Sequence, residues 1–189
     1  MKRNIKKVAV IGSGVMGSRI ACHFANVGLD VLLLDIVPNE AKESKDKRAR
    51  NKIVNDALTS SLKSNPSPIY SKSYASKITT GNLEDDIHLI SKVDWIIEVV
   101  VERLDIKQIV FANIEKHRKP GTIISSNTSG IPIHMMLEGR SDDFQKHFLG
   151  THFFNPPRYL KLFEIIPTPK TDQAVVDFLI EYGSKILGK

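Results

Sequence analysis

The sequence predicts an α/β fold, a doubly wound and mainly parallel sheet with an antiparallel hairpin at one edge, and three features predict it. Short β-branched runs alternate with helical ones along the chain. A glycine-rich turn directly follows the first of those runs, where a strand would hand over to a helix. Near the end, two extended runs are separated by a break at Pro156-Pro157, which lets the second lie back beside the first.

The first strand is KKVAVIG, and a helix follows it to about Val27. Next come the strand DVLLLD and a charged helix from about Asn39. The segment Ser60–Ser76, rich in Ser, Asn and Pro, reads as a surface loop. Lys77–Thr80 is a weaker strand and Asp94–Val100 a strong one. Arg103–His117 carries helical spacing, with Ile106, Ile109, Val110, Ala112 and Ile114 on or near one face. Pro120-Gly121 turns the chain into the strand TIISS. After Ser141 come the hairpin strands, the second spanning Leu162–Ile166, and Thr171–Leu187 forms a last amphipathic helix.

With 189 residues, 41% of them hydrophobic and 25% charged, the chain can build one globular domain with a substantial core. The single Cys22 excludes an internal disulfide framework, suits a reducing compartment and sits in an apolar helical run, where packing is its expected role. The best apolar runs, VLLLDIV and WIIEVVVE, each contain an acid, so no membrane span is expected. The basic start MKRNIKK leads into a strand and glycine turn rather than a signal-peptide core, which points to the cytoplasm or to an organelle after removal of a targeting segment. The formal charge of +6 is moderate, and Lys42–Lys52 holds much of it with acids interspersed, as on a solvated helix face or a landing surface for an anionic ligand. Without interleaved aromatics or a known motif, that patch does not suggest nucleic acid.

Gly150–Glu164, GTHFFNPPRYLKLFE, spends His152 and Glu164 where a sheet should be apolar. A hairpin through Pro156-Pro157 would bring imidazole and carboxylate within hydrogen-bond reach. A carboxylate on one ring nitrogen fixes the tautomer and supports the protonated form, which makes a general base. The alternative is a structural hydrogen bond between two half-buried polar residues.

Gly12-Ser13-Gly14-Val15-Met16-Gly17 is G-x-G-x-x-G between the first strand and its helix, the setting of a Rossmann-type dinucleotide site. Gly12 permits the tight turn, Gly14 lets backbone approach a pyrophosphate, and Gly17 lets helix pack on strand. The free amides of the helix N-terminus then face the phosphates. Asp35 ends the second strand eighteen residues beyond Gly17. A carboxylate there accepts from the adenosine ribose hydroxyls and repels a 2′-phosphate, which favours NAD over NADP.

Taken in order, VAVIGSGVMG, IIEVVVERLDIK, SSNTSGI, GTHFFNP and LKLFEII closely resemble the N-terminal NAD-binding domain of the 3-hydroxyacyl-CoA dehydrogenases of fatty-acid β-oxidation, over essentially the whole chain. The resemblance implies His152 as the base that takes the 3-hydroxyl proton of an acyl-CoA substrate, with Glu164 orienting it. It implies Ser129 as a hydrogen-bond partner of the substrate oxygen near the nicotinamide, and Asn155, Glu102 and Lys107 as cofactor contacts. Read from the sequence alone, Glu102 and Lys107 could equally be helix-start and surface charges, Ser129 a helix cap, and Asn127 a shaper of its turn. Glu98 stands in mid-strand with no role assigned, and the other histidines read as structural or solvent-facing.

Gly130 stands where the family commonly has a second serine, so a looser turn is expected there. The stretch from Asp35 to Lys77 is longer than in short family members, which leaves the coenzyme A contacts of that region unassigned. In the family the sequence after LGK leads into a helical domain that supplies a further catalytic asparagine, part of the acyl pocket and most of a dimer interface. Residues 1–189 are therefore expected to be the NAD-binding domain of a longer homodimeric protein, binding NAD and turning over poorly or not at all alone. Two rivals remain: another NAD-dependent hydroxy-acid dehydrogenase, such as the 3-hydroxyisobutyrate type with its catalytic lysine, and a non-catalytic dinucleotide-binding protein of the same fold.

Overall fold

Strand β1 (Lys7–Ile11) lies at the middle of the sheet in the computed structural model, which describes residues 3–189; Met1 and Lys2 of the basic start lie outside the described residues. The chain continues through α1 (Val15–Asn26), β2 (Asp30–Asp35), a short α2 (Lys47–Arg50), α3 (Lys52–Leu62), β3 (Ile78–Asn82) and β4 (Trp95–Glu98). It then forms α4 (Leu104–His117), β5 (Ile123–Ser126), α5 (Asp142–Lys146), β6 (Phe148–Phe153), β7 (Phe163–Pro167) and α6 (Gln173–Lys185). The strand order is β3-β2-β1-β4-β5-β6-β7. Among the described residues only the β6–β7 pair is antiparallel. The chain thus reverses its winding between β1 and β4, which opens a crevice at their carboxyl ends.

Strand alternation builds both layers of the core. Val8, Val10, Leu33, Trp95, Ile97, Leu149 and Phe153 face one side, packed with Phe24 of α1 and Leu179 of α6. Ala9, Ile11, Leu32, Leu34, Ile96, Ile124 and Phe148 face the other, against Phe111 and Ile114 of α4 and Phe144 of α5. Cys22 is fully buried in the first layer, and burial pushes its thiol up to about 11, so it packs rather than reacts. No helix among the described residues is long and apolar enough to cross a membrane.

Four expectations need correction. No continuous helix runs from Asn39: a 3₁₀ turn covers Asn39–Ala41, and Asp46 then starts a new helix by accepting the Arg48 amide. Pro38 and the turn-forming Ser44 and Asp46 favour that break. Nor is Lys42–Lys52 wholly a solvated face, since Arg50 bonds Glu84 and Asp85. Ser60 and Ser61 lie in the last turn of α3 rather than in a loop, and a 3₁₀ turn covers Lys72–Lys77. Finally, α5 precedes the hairpin, capped by Ser141, whose side chain accepts the Phe144 amide.

Candidate active site

The glycine turn leaves β1 at the crevice. Gly12 has φ +100°, and a Cβ there would stand 2.6 Å from the Val99 carbonyl oxygen. A Cβ at Gly17 would stand 1.8 Å from the Gly12 carbonyl oxygen, so α1 packs directly on the turn. Around Gly14 no atom lies within 4 Å of an added Cβ, and no side chain among the described residues caps α1. The turn therefore offers open space beside uncapped helix amides, which fits a pyrophosphate. Ser13 donates to Asp35 Oδ2 from its amide at 2.6 Å and its hydroxyl at 2.5 Å. The Ile36 amide donates to Asp35 Oδ1 at 2.7 Å. The carboxylate is thereby held at the glycine turn, with one lone pair on Oδ1 still free to accept.

His152 and Glu164 are direct register partners in the β6–β7 pair, and His152 Nδ1 lies 2.8 Å from Glu164 Oε2. The imidazole is mostly shielded and the carboxylate half-exposed, at 18% and 48% side-chain exposure. Nothing among the described residues pairs with Nε2. A cleft of about 310 Å³ brings His152 together with Met16, Glu102, Ser129, Phe154 and Asn155. It thus joins the first turn of α1 to the ends of β4, β5 and β6. Asn127 Oδ1 accepts the Phe153 amide at 2.9 Å and ties β5 to the end of β6. Asn155 Oδ1 accepts from Arg19 of α1 at 2.6 Å.

Ser129 is exposed and caps no helix, because the next helical turn begins only after Pro132. Thr128 instead accepts the Ile131 amide at 3.1 Å. The turn is not loose at Gly130, whose amide, like that of Ser129, lies 3.2 Å from Glu102 Oε1. Thr128 Oγ1 donates to the same oxygen.

Lys107 is not a surface charge. It is 1% exposed, stands behind the cleft wall, and donates to Glu98 Oε1 at 2.7 Å and Oε2 at 3.0 Å. Its ammonium also lies 3.3 Å from Glu102 Oε2. Glu98 further accepts from Ser126 Oγ and the Val100 amide. Burial pushes the Glu98 carboxyl up, against the pull of Lys107. Burial also acts upward on Glu102, but Thr128, the Gly130 amide and Lys107 together hold it below the ordinary carboxylate range.

Sequence reasoning left Glu98 without a role and missed Arg19 and Arg158. A carboxylate in mid-strand, nine residues before a lysine in the next helix, was the available signal for the first. Arg158 donates to the carbonyls of Ser67 at 2.8 Å and Ile69 at 3.0 Å, and its guanidinium lies 4.0 Å from the Tyr70 ring centroid. The Asp35–Lys77 stretch thereby holds the loop that follows His152. Among the remaining histidines, His23 is buried against the Leu187 carbonyl, and His117 and His147 bond carbonyls one helical turn back.

The family model described as "3-hydroxyacyl-CoA dehydrogenase, NAD binding domain" matches residues 7–189. The "Probable 3-hydroxyacyl-CoA dehydrogenase" of Bacillus subtilis is 52% identical over all of this chain, which spans 25% of that protein. The human mitochondrial hydroxyacyl-coenzyme A dehydrogenase is 33% identical over 98% of this chain and 57% of its own length. The crystal structure of 3-hydroxybutyryl-CoA dehydrogenase from Escherichia coli superposes with a TM-score of 0.74 at 30% identity, over 99% of this chain and 37% of that one.

Proposed function

Because the chain belongs to the 3-hydroxyacyl-CoA dehydrogenase family, as its NAD-binding domain, we propose that the protein carrying it oxidises an L-3-hydroxyacyl-CoA reversibly to the 3-ketoacyl-CoA, within fatty-acid β-oxidation. The observation that carries this reading is the His152–Glu164 pair at 2.8 Å, on a cleft that also receives Ser129 and the first turn of α1. The glycine turn and the α1 amides hold the pyrophosphate, and Asp35 accepts from the adenosine ribose. Glu102 and Asn155, with Lys107 behind them, border the nicotinamide end. NAD, when bound, supplies the hydride acceptor.

With Nδ1–H engaged by Glu164, His152 presents a bare Nε2 as the acceptor for the 3-hydroxyl proton. Glu164 keeps that tautomer and stabilises the imidazolium formed as the proton arrives. Ser129 donates to the substrate oxygen and aligns its carbon for hydride departure. In the reverse direction the imidazolium returns the proton to the 3-keto oxygen.

The chain spans a quarter to about half of the curated relatives it matches first. On the family resemblance, the acyl pocket and the homodimer contact are proposed to lie in a helical C-terminal domain of the complete protein. Its cytoplasmic location rests on the lone, buried Cys22. The test is acetoacetyl-CoA-dependent NADH oxidation by the complete gene product. Turnover that disappears in His152→Ala is the expected result. Tight NAD binding with no turnover would replace this reading by a different hydroxy-acid substrate or by non-catalytic dinucleotide binding.

A further inference from the structure

The geometry points to Glu98 as a positioning residue, the buried anchor of a charge relay through Lys107 and Glu102 that sets the place of Ser129. Glu98 is 0% exposed, in the last position of β4, and does not line the cleft. A carboxylate at such a place is costly to desolvate, and an apolar side chain would pack there at least as well. Its value must therefore lie in what it holds. Both oxygens are occupied, by Lys107, Ser126 and the Val100 amide.

Lys107 has three N–H donors. Two distances, 2.7 and 3.0 Å, lead to Glu98, and one of 3.3 Å leads on to Glu102. Glu102, 43% exposed, would by itself sample several rotamers. Here one oxygen faces Lys107, and the other collects Thr128 Oγ1 and the amides of Ser129 and Gly130. The turn that carries Ser129 is thus pinned by a carboxylate that the lysine pins, and the lysine is pinned from inside the sheet. Removing the Glu98 charge frees the ammonium to draw Glu102 inward and away from the turn. A displacement of about 1 Å at a substrate-holding group is enough to cost roughly 100-fold in rate.

The catalytic part of this inference rests on Ser129 holding substrate, and the structural part does not. Amide hydrogen exchange followed by NMR on the 189-residue chain reads the structural part. In Glu98→Gln the Ser129 and Gly130 amides should lose protection. Those of Val99 and Asn127, bonded to the carbonyls of Ile11 and Glu98, should keep it. Unchanged protection at Ser129 and Gly130 overturns the relay, whatever the enzyme does. If Glu98→Gln does not fold, the paired variant Glu98→Gln/Lys107→Met removes both charges together and should show the same selective loss.

In the complete gene product, Glu98→Gln should lower kcat about 10- to 100-fold and add almost nothing in a Ser129→Ala background. Additive losses would assign Glu98 a separate structural role and overturn its action through Ser129. Loss of amide protection in a protein whose parent form does not turn over would refute the functional reading and leave the relay standing.

Discussion

His152 and Glu164 sit directly opposite each other across β6 and β7, twelve residues apart in sequence, with Nδ1 and Oε2 at 2.8 Å. The register of the hairpin sets that spacing. A shift of one residue would turn one partner to the opposite face of the sheet.

His152→Ala in the complete enzyme should lower kcat by about 100- to 10,000-fold, the usual worth of a general base, with the NAD dissociation constant nearly unchanged. Stopped-flow turnover and fluorescence titration of NAD separate the two effects. Loss of NAD binding together with activity would make the histidine structural.

Oxidation should fail at acidic pH, because a protonated imidazole cannot accept the hydroxyl proton. Glu164→Gln removes the carboxylate that holds Nδ1–H, so kcat should drop while the NAD dissociation constant stays nearly unchanged. An unchanged kcat would detach Glu164 from the proton transfer.

Gly17 and Gly14 should respond oppositely to alanine. Gly17→Ala places a methyl 1.8 Å from a backbone oxygen and should cost about 1–3 kcal/mol of stability. Gly14→Ala meets no protein atom within 4 Å and should leave the melting temperature unchanged while weakening NAD about tenfold. Thermal melts and NAD titrations on both variants check the pair.

Burial first, then the positive charge of Lys189, lower His23 to about 4, against an opposing bond to the Leu187 carbonyl. The unfolded chain, with an ordinary imidazole near 6.5, binds the proton first. Stability from this site is therefore full above pH 6.5 and is lost as pH falls toward 4. It should amount to about 2 kcal/mol between roughly pH 7 and pH 5. Urea unfolding at both pH values should show that drop in the parent and a smaller one in His23→Gln.

If Asp35 faces the adenosine ribose, replacing it by serine should weaken NAD and admit NADP, because a carboxylate there would repel a 2′-phosphate. A ratio of the two dissociation constants that does not move would remove Asp35 from the ribose site.

The parts of the fold visible in the sequence are those with local causes. Short continuous apolar runs mark β1, β2 and β4, and Pro156-Pro157 marks the break of a hairpin whose register places His152 against Glu164. The glycine turn was legible because each glycine answers a separate backbone demand. The region after Asp35 was not, because its helix begins only at Asp46 and Arg50 finds its partners at Glu84 and Asp85, far along the chain. Lys107 misled for a similar reason. Helical spacing tells nothing of a buried acid on the neighbouring strand, and only Glu98, an acid inside an apolar run, hinted that a cation had to be near.

The place of β7 at the end of the sheet makes the two halves of the His152–Glu164 pair unequal in durability. Among the described residues β6 is flanked by strands on both sides, whereas β7 pairs with β6 alone. Its five residues can peel away at a fraction of the free energy needed to melt the domain. Each such excursion would leave the histidine without its carboxylate while the parallel core stayed folded. The His152–Glu164 contact is then only as durable as the weakest rung of the sheet.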